Sequence, residues 1–297
     1  MNDLFGGMEG GGTKFVCAIS DGSFRLVDKI QFSTTMPDET LGHAITFFKK
    51  YPLKAIGLSV FGPVDLNDSS RKYGYITTTP KRGWSDIDII SPFKQELNVP
   101  IAFTLDVNAA VLGEYVLSPI NNRLKNLIYI TIGTGIGAGI ISNGTLLYGL
   151  SHPEVGHMRI PHDRQLDTFS GICPFHGDCL EGLASGPAIH SRWNILPSEL
   201  PGDHPAWDLE SDYLASALIN IILTLSPQRI ILGGGVMNQD KLFPLIRKKI
   251  SLLLNKYLLF PEILKNMDEY ITNPGLGSNS GVLGALVMAK QLLTKNE

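Results

Sequence analysis

A chain of 297 residues with 43% hydrophobic content is long enough for two domains of ordinary size and has the composition of a folded globular protein. Its net charge of −3 provides no basic stripe for neutralising phosphates, which argues against nucleic acid as a partner. No apolar run reaches membrane-spanning length, and Met1-Asn2-Asp3-Leu4 lacks the basic region and apolar core of a signal peptide, so a cytoplasmic chain with no membrane partner is expected.

The opening, from Leu4 through Glu9-Gly10-Gly11-Gly12-Thr13-Lys14 to Ile19, predicts a strand, a glycine turn and a second, β-branched-rich strand. Successive glycines let backbone N–H groups converge on an anion. Thr13 adds a hydroxyl donor, Lys14 adds charge and Glu9 is placed to hold magnesium through water. The motif matches neither the Walker pattern nor the Rossmann fingerprint, and a plain hairpin with a flexible tip fits it equally well. Cys17, among apolar strand residues, reads as core. The spacing of Leu41, Ile45 and Phe48 predicts a helix over 39–50, ended by Pro52. Ala55 to Val60 reads as a buried strand breaking at Phe61-Gly62-Pro63-Val64-Asp65, where exposed backbone can meet a ligand. With the hydroxyl-bearing loop Thr77 to Trp84, that break is a candidate polyol-binding wall, and a short amphipathic segment ends near Asn98. Val99 to Leu105 is another strand, delivering Asp106 at its carboxyl end before a helix over Val107 to Glu114. Ligands of open α/β sheets bind at such junctions, although Asp is also a common helix N-cap.

The polar, proline-bearing stretch Ser118 to Arg123 marks a domain boundary, giving an amino-terminal α/β domain of residues 1–118 plus 282–297 and a second of 119–281. A second strand–glycine–strand unit follows over Leu127 to Ile141, tipped by Gly133-Thr134-Gly135-Ile136-Gly137. Two such hairpins, each opening half of the chain, imply an internal duplication with a cleft where one nucleotide is pinched from both sides. The next stretch concentrates chemistry: Glu154-Val155-Gly156-His157, then Cys173-Pro174-Phe175-His176-Gly177-Asp178-Cys179-Leu180-Glu181. Cys-x2-His-x2-Cys with a further histidine upstream offers two thiolates and two imidazoles, a set that suits tetrahedral structural zinc. A Cys173–Cys179 disulfide or a pair of ordinary buried thiols is the competing reading. An odd cysteine count in a reducing compartment favours the metal. A helical region begins at Gly182 and is interrupted over Pro197 to Pro205. Asp212 to Leu225 predicts a long apolar helix, and the strand Arg229 to Leu232 runs into Gly233-Gly234-Gly235, where a flat or phosphorylated ligand can approach. Ser280 to Ala289 is a last apolar helix.

Taken in order, Glu9 to Lys14, Asp106 before Val107-Asn108-Ala109-Ala110, Gly133 to Gly137, Glu154 to His157, the Cys173 to Glu181 cluster and Gly233 to Gly235 resemble the ROK family of sugar kinases and repressors, from residue 4 to about residue 290. Within it the chain looks most like the bacterial fructokinase branch, through Glu9 to Ala18, Ser59 to Asp65, Thr79-Pro80-Lys81 and Cys173 to Gly182. The resemblance implies a two-domain actin-like (ribonuclease H-like) ATPase fold and a homodimer that takes ATP, Mg²⁺ and a free hexose and phosphorylates the 6-hydroxyl. It implies Asp106 as general base; Gly10, Gly11, Gly12, Thr13, Lys14, Gly133, Thr134, Gly135, Gly137, Gly233, Gly234 and Gly235 on ATP; and Gly62, Pro63, Glu154, His157 and Glu181 on the sugar. Zn²⁺ is implied on His157, Cys173, His176 and Cys179, and Mg²⁺ by Glu9 through water. The chain departs from many relatives in carrying His176 where they have a third cysteine, as the fructokinase branch does. It also carries Leu105 where many glucose and N-acylmannosamine kinases have Asn before the aspartate, which argues against a glucose-type site; fructose is the expected substrate, with a glucokinase or mannokinase of the same family as the alternative. A sugar-responsive repressor needs a DNA-binding helix-turn-helix, for which a first strand at Leu4 leaves no room. A non-catalytic sensor is expected to lack Asp106, and an ATPase without a sugar substrate does not account for the Glu154 to Glu181 stretch.

Overall fold

The computed structural model describes residues 3–121 and 123–294; Asn122 of the expected linker, and residues 1, 2 and 295–297, lie outside them. The chain forms two compact units: Met1–Arg123 with Leu146–His152 and Gly275–Glu297, and Leu124–Thr145 with Pro153–Pro274.

In the first unit, β1 (Leu4–Gly10), β2 (Lys14–Asp21), β3 (Leu26–Ser33) and β4 (Leu53–Val60) are followed by a two-stranded pair, β5 (Tyr75–Ile76) and β6 (Ile87–Asp88), and by β7 (Ile101–Leu105). The main sheet runs β3-β2-β1-β4-β7, antiparallel across β1, β2 and β3 and parallel across β1, β4 and β7. Helix α1 (Pro37–Phe48) begins with proline at its first position and acidic Asp38 and Glu39 in the first turn, and buries Leu41, Ala44, Ile45 and Phe48. α2 (Ile90–Leu97) starts where Asp88 Oδ1 accepts the Ile90 and Ser91 N–H groups and stops at left-handed Asn98. These helices close one core over Phe15, Leu58 and Trp84.

On the other side lie α3 (Asp106–Leu117) and the C-terminal helix Ser280–Thr294. They approach so closely that a Cβ at Gly284 would sit 1.7 Å from the Ala109 carbonyl oxygen, and one at Gly57 of β4 would sit 1.9 Å from that of Ala285. Only glycine permits either contact. Glu114, fully buried, accepts the N–H groups of Gly275 and Leu276 at 3.0 and 2.9 Å and the Ser280 hydroxyl at 2.7 Å. These bonds tie residues 275–280 to α3, so the return to the first unit comes at 275 rather than at the expected 282. The first junction falls after residue 123 rather than 118, and residues 146–152 also join the first unit.

The second unit repeats the plan. β8 (Leu127–Ile132), β9 (Ile136–Ser142), β10 (Thr145–Leu146), β11 (Arg229–Gly233) and β12 (Ile271–Thr272) run in the order β10-β9-β8-β11-β12, with β8 and β9 antiparallel and β8, β11 and β12 parallel. In both units the first three strands form a meander and the fourth and fifth add in parallel beside the first. Helices α4 (Leu180–Ala184), α5 (Gly186–Trp193), α6 (Ala206–Leu225) and α7 (Leu242–Leu254), with two short helices at Pro261–Leu264 and Met267–Tyr270, belong to this unit. α6 begins six residues before the expected start at Asp212, because Trp207, Glu210 and Ser211 are buried along with the apolar stripe. No helix among the described residues is long and apolar enough to cross a membrane.

Candidate active site and metal-ligand cluster

In the first unit the β1–β2 hairpin closes with the Gly11 N–H donating to the Lys14 carbonyl at 2.9 Å. Gly10 is packed against Phe15, while a Cβ at Gly12 would meet nothing within 4 Å, so the tip is open backbone. Thr13 is exposed there, and the Lys14 ammonium donates to Gln31 Oε1 at 3.2 Å. Glu9, one strand residue earlier, points its carboxylate at the start of the C-terminal helix, where a Cβ on Gly281 would fall 2.3 Å from Glu9 Cδ. A hydrogen bond from the Val282 backbone reaches it, and its Oε2 is buried with no partner among the described residues. Burial, and then the charge of Asp106, push the Glu9 carboxyl up to about 7. An orphaned carboxylate oxygen facing neighbouring negative charge fits a hydrated divalent cation.

Asp106 is the first residue of α3, not its N-cap; that position is Leu105. Its Oδ1 accepts the Val107 N–H at 2.8 Å. Burial lifts its pKa to about 6, opposed by the backbone hydrogen bonds, which suits a proton acceptor near neutral pH. Gly62 and Pro63, joined by a cis peptide bond, follow β4. Leu105 Cδ2 lies 3.0 Å from where a Gly62 Cβ would be, so Leu105 belongs both to the core and to this turn. Further polar side chains lie near this junction. Asn108 Nδ2 donates to Thr104 Oγ1 at 3.2 Å, and the Tyr148 hydroxyl lies 3.3 Å from the same oxygen. The Val64 N–H donates to His152 Nε2 at 3.3 Å. Thr104 and Asn108 were findable as polar residues two positions either side of Asp106. Tyr148, 44 residues from Thr104 in sequence, carried no local signal.

In the second unit the tip between β8 and β9 holds Gly133, Thr134 and Gly135, and Gly137 lies within β9 opposite Thr131. Gly233 ends β11 beside Thr131, and Gly234 has φ +91, with a Cβ position 2.3 Å from the Ile132 carbonyl oxygen. A Cβ on Gly133 would come 3.7 Å from the Gly235 nitrogen, so these two glycine turns lie side by side. Exposed Glu154 precedes a 3-10 turn, Val155–His157, in which the His157 N–H returns to the Glu154 carbonyl at 3.0 Å.

His157, Cys173, His176 and Cys179 gather their ligand atoms within 4.8 Å of one another, and neither cysteine is in a disulfide. His157 Nδ1 stands 3.8 Å from Cys173 Sγ and 3.6 Å from Cys179 Sγ, and His176 Nδ1 stands 3.6 Å from Cys173 Sγ. Bonds of about 2.3 Å to sulfur and about 2.0–2.1 Å to nitrogen place tetrahedral donors about 3.6 Å apart, so the cluster is the size of a four-coordinate zinc site. Burial, with Cys173 beside it, pushes the Cys179 thiol up, and a bound cation would favour the thiolate. The loop is braced from outside. Asp178 takes Arg159 at 2.8 Å, Arg164 at 2.6 Å and His162 at 3.2 Å, and these partners, His162 foremost, hold its carboxyl below the usual range. Arg159 also donates to the His176 carbonyl at 2.7 Å. Glu181, in the first turn of α4, accepts the Ile136 N–H on Oε2 at 2.9 Å.

Two sheets of one topology, each opening on a glycine-tipped hairpin, define an actin-like ATPase fold of the kind found in sugar kinases. Residues 5–292 match the ROK family, and the chain belongs to it. The fructokinase of Lactococcus lactis subsp. cremoris is 48% identical over 296 residues, covering 99% of this chain and 100% of its own. That of Pediococcus pentosaceus is 44% identical over 290 residues, covering 98% and 99%. Among solved structures, the ROK hexokinase from Thermus thermophilus matches with a TM-score of 0.76 at 23% identity, over 99% of this chain and 100% of that one.

Proposed function

We propose that the chain is an ATP-dependent fructokinase, transferring the γ-phosphoryl group of ATP to the 6-hydroxyl of D-fructose to give fructose 6-phosphate and ADP. The observation that carries this reading is a half-buried carboxylate raised to about 6 at the carboxyl end of β7, in a chain 44–48% identical to fructokinases along nearly its whole length. Asp106 accepts the hydroxyl proton. Its Oδ1 is held by Val107, which orients Oδ2 for the substrate. Backbone N–H groups at Gly10 to Lys14, Gly133 to Gly137 and Gly233 to Gly235 meet the phosphates, since phosphoryl transfer rests mainly on positioning and charge stabilisation. Magnesium, when bound with ATP, neutralises charge developing on the phosphates, and Glu9 would hold it through water.

Gly62, Pro63, Glu154, His157 and Glu181 are assigned to the sugar hydroxyls. His157 directs Nδ1 at the sulfurs, which leaves Nε2 for a hydroxyl. Zinc on the Cys/His cluster would supply no chemistry, only a cross-link that orders the loop bearing these side chains. Family membership also supports a cytoplasmic homodimer, which sedimentation of the purified protein tests. The deciding experiment for the reaction is a coupled ATP-consumption assay over fructose, mannose and glucose. Fructose is expected to give the highest kcat/KM. Glucose as the best substrate overturns the fructose assignment, and no consumption with any hexose overturns the kinase.

A further inference from the structure

The segment that carries the metal-ligand loop also grips the second glycine hairpin. Ile136, the first residue of β9, donates its N–H to Glu181 Oε2 at 2.9 Å, a contact between residues 45 apart in sequence. Gly135 makes room for it, since a Cβ there would lie 2.7 Å from that oxygen. On the other side of the turn, the Gly186 N–H at the start of α5 donates to the Gly133 carbonyl at 2.7 Å. A third hold comes from the turn Val155–His157, where a Cβ on Gly156 would sit 1.9 Å from the Ile136 carbonyl oxygen. Glu181 is itself fixed to the cluster, because α4 follows Cys179 directly and Gly182 lies against Gly177 and Cys173.

We propose that Glu181 is a positioning residue for nucleotide binding: its carboxylate sets the Gly135–Ile136 turn, so the segment that carries the sugar-site side chains also fixes the hairpin that receives the phosphates. The inference rests on the reading that this hairpin contacts ATP. An acceptor oxygen held in place by α4 fixes the Ile136 N–H, and the glycines at 133 and 135 bring no side chains of their own to restrict the turn. Glu181 then links the two substrates through the protein, in addition to any direct contact with the hexose.

The test is the affinity for Mg-ADP in the absence of any hexose, measured by titration calorimetry on the full-length protein. Glu181→Ala is expected to weaken Mg-ADP by about tenfold, the scale of one lost hydrogen bond. Glu181→Gln keeps an oxygen able to accept from Ile136, so it should hold Mg-ADP affinity within about twofold while the KM for fructose rises. That split is what a residue serving only the sugar, or only the fold, does not produce. Should Glu181→Ala fail to fold, Glu181→Asp, one methylene short of Ile136 with the charge kept, carries the same expectation of weakened Mg-ADP. Thr134→Val separates the inference from its foundation. If Thr134→Val weakens Mg-ADP and neither Glu181→Ala nor Glu181→Asp does, Glu181 has no positioning role. If the wild-type protein binds no Mg-ADP, or Thr134→Val leaves its affinity unchanged, the hairpin is not the phosphate site and the inference falls with it.

Discussion

Replacing Asp106 by Asn isolates the proton-accepting step from everything else the residue does. In the structure Oδ1 is committed to the Val107 N–H at 2.8 Å, a bond the amide oxygen of Asn preserves, so the start of α3 should keep its geometry. The other oxygen becomes an NH₂ group, which donates and cannot accept the hydroxyl proton. A positioned general base contributes about 10²–10⁴ in rate, and at about 1.4 kcal/mol per tenfold the loss amounts to about 3–6 kcal/mol of transition-state stabilisation. The assay is kcat for fructose at saturating Mg-ATP, alongside calorimetric affinities for fructose and Mg-ADP, which should stay close to wild type. The raised pKa adds a second signature. A base works only when ionised, so wild-type kcat/KM should rise with pH through about 6 and fall away below it, and Asp106→Asn should remove that limb. Turnover of the Asn variant within tenfold of wild type, with affinities intact, refutes the assignment.

Elemental analysis should find about one zinc per chain, lost in Cys179→Ser; a fully active preparation with no zinc rules the site out. Leu105→Asn should raise kcat/KM for glucose relative to fructose, because it adds a hydrogen-bonding group beside Asp106. It should also lower the melting temperature, since it replaces a core residue packed beneath Gly62, and an unchanged substrate ratio would sink the specificity argument. Gly156→Ala would place a methyl 1.9 Å from the Ile136 carbonyl oxygen. An overpacking cost of about 1–3 kcal/mol should lower Tm by several degrees, at about 2–4 °C per kcal/mol, and calorimetry showing no change would mean that turn and hairpin are not in contact.

What the sequence determined by itself was whatever is written in short-range pattern. Both glycine hairpins were legible because a run of glycines between β-branched strands has few other structures open to it, and Asp106 was legible as the polar residue ending an apolar strand. Three of the cluster's four residues stand within seven consecutive residues, and the fourth, His157, was legible as the further histidine upstream in the same stretch. Other elements left weak local marks. β3 alternates exposed and half-buried positions at a sheet edge, and α7 carries Pro244 in its first turn, where a helix tolerates it but a periodicity reading stops.

Only the tertiary structure decided where the units part. The bonds from Glu114 to residues 275–280 and the close passage of Gly284 over Ala109 bring the C-terminal helix back to the first sheet. Likewise Tyr148 on Thr104 and Glu181 on Ile136 join stretches more than forty residues apart. Such contacts are set by which backbone groups are left without partners once the sheets have formed, and by which surfaces are small enough to approach them. Neither quantity is a property of any one stretch of sequence.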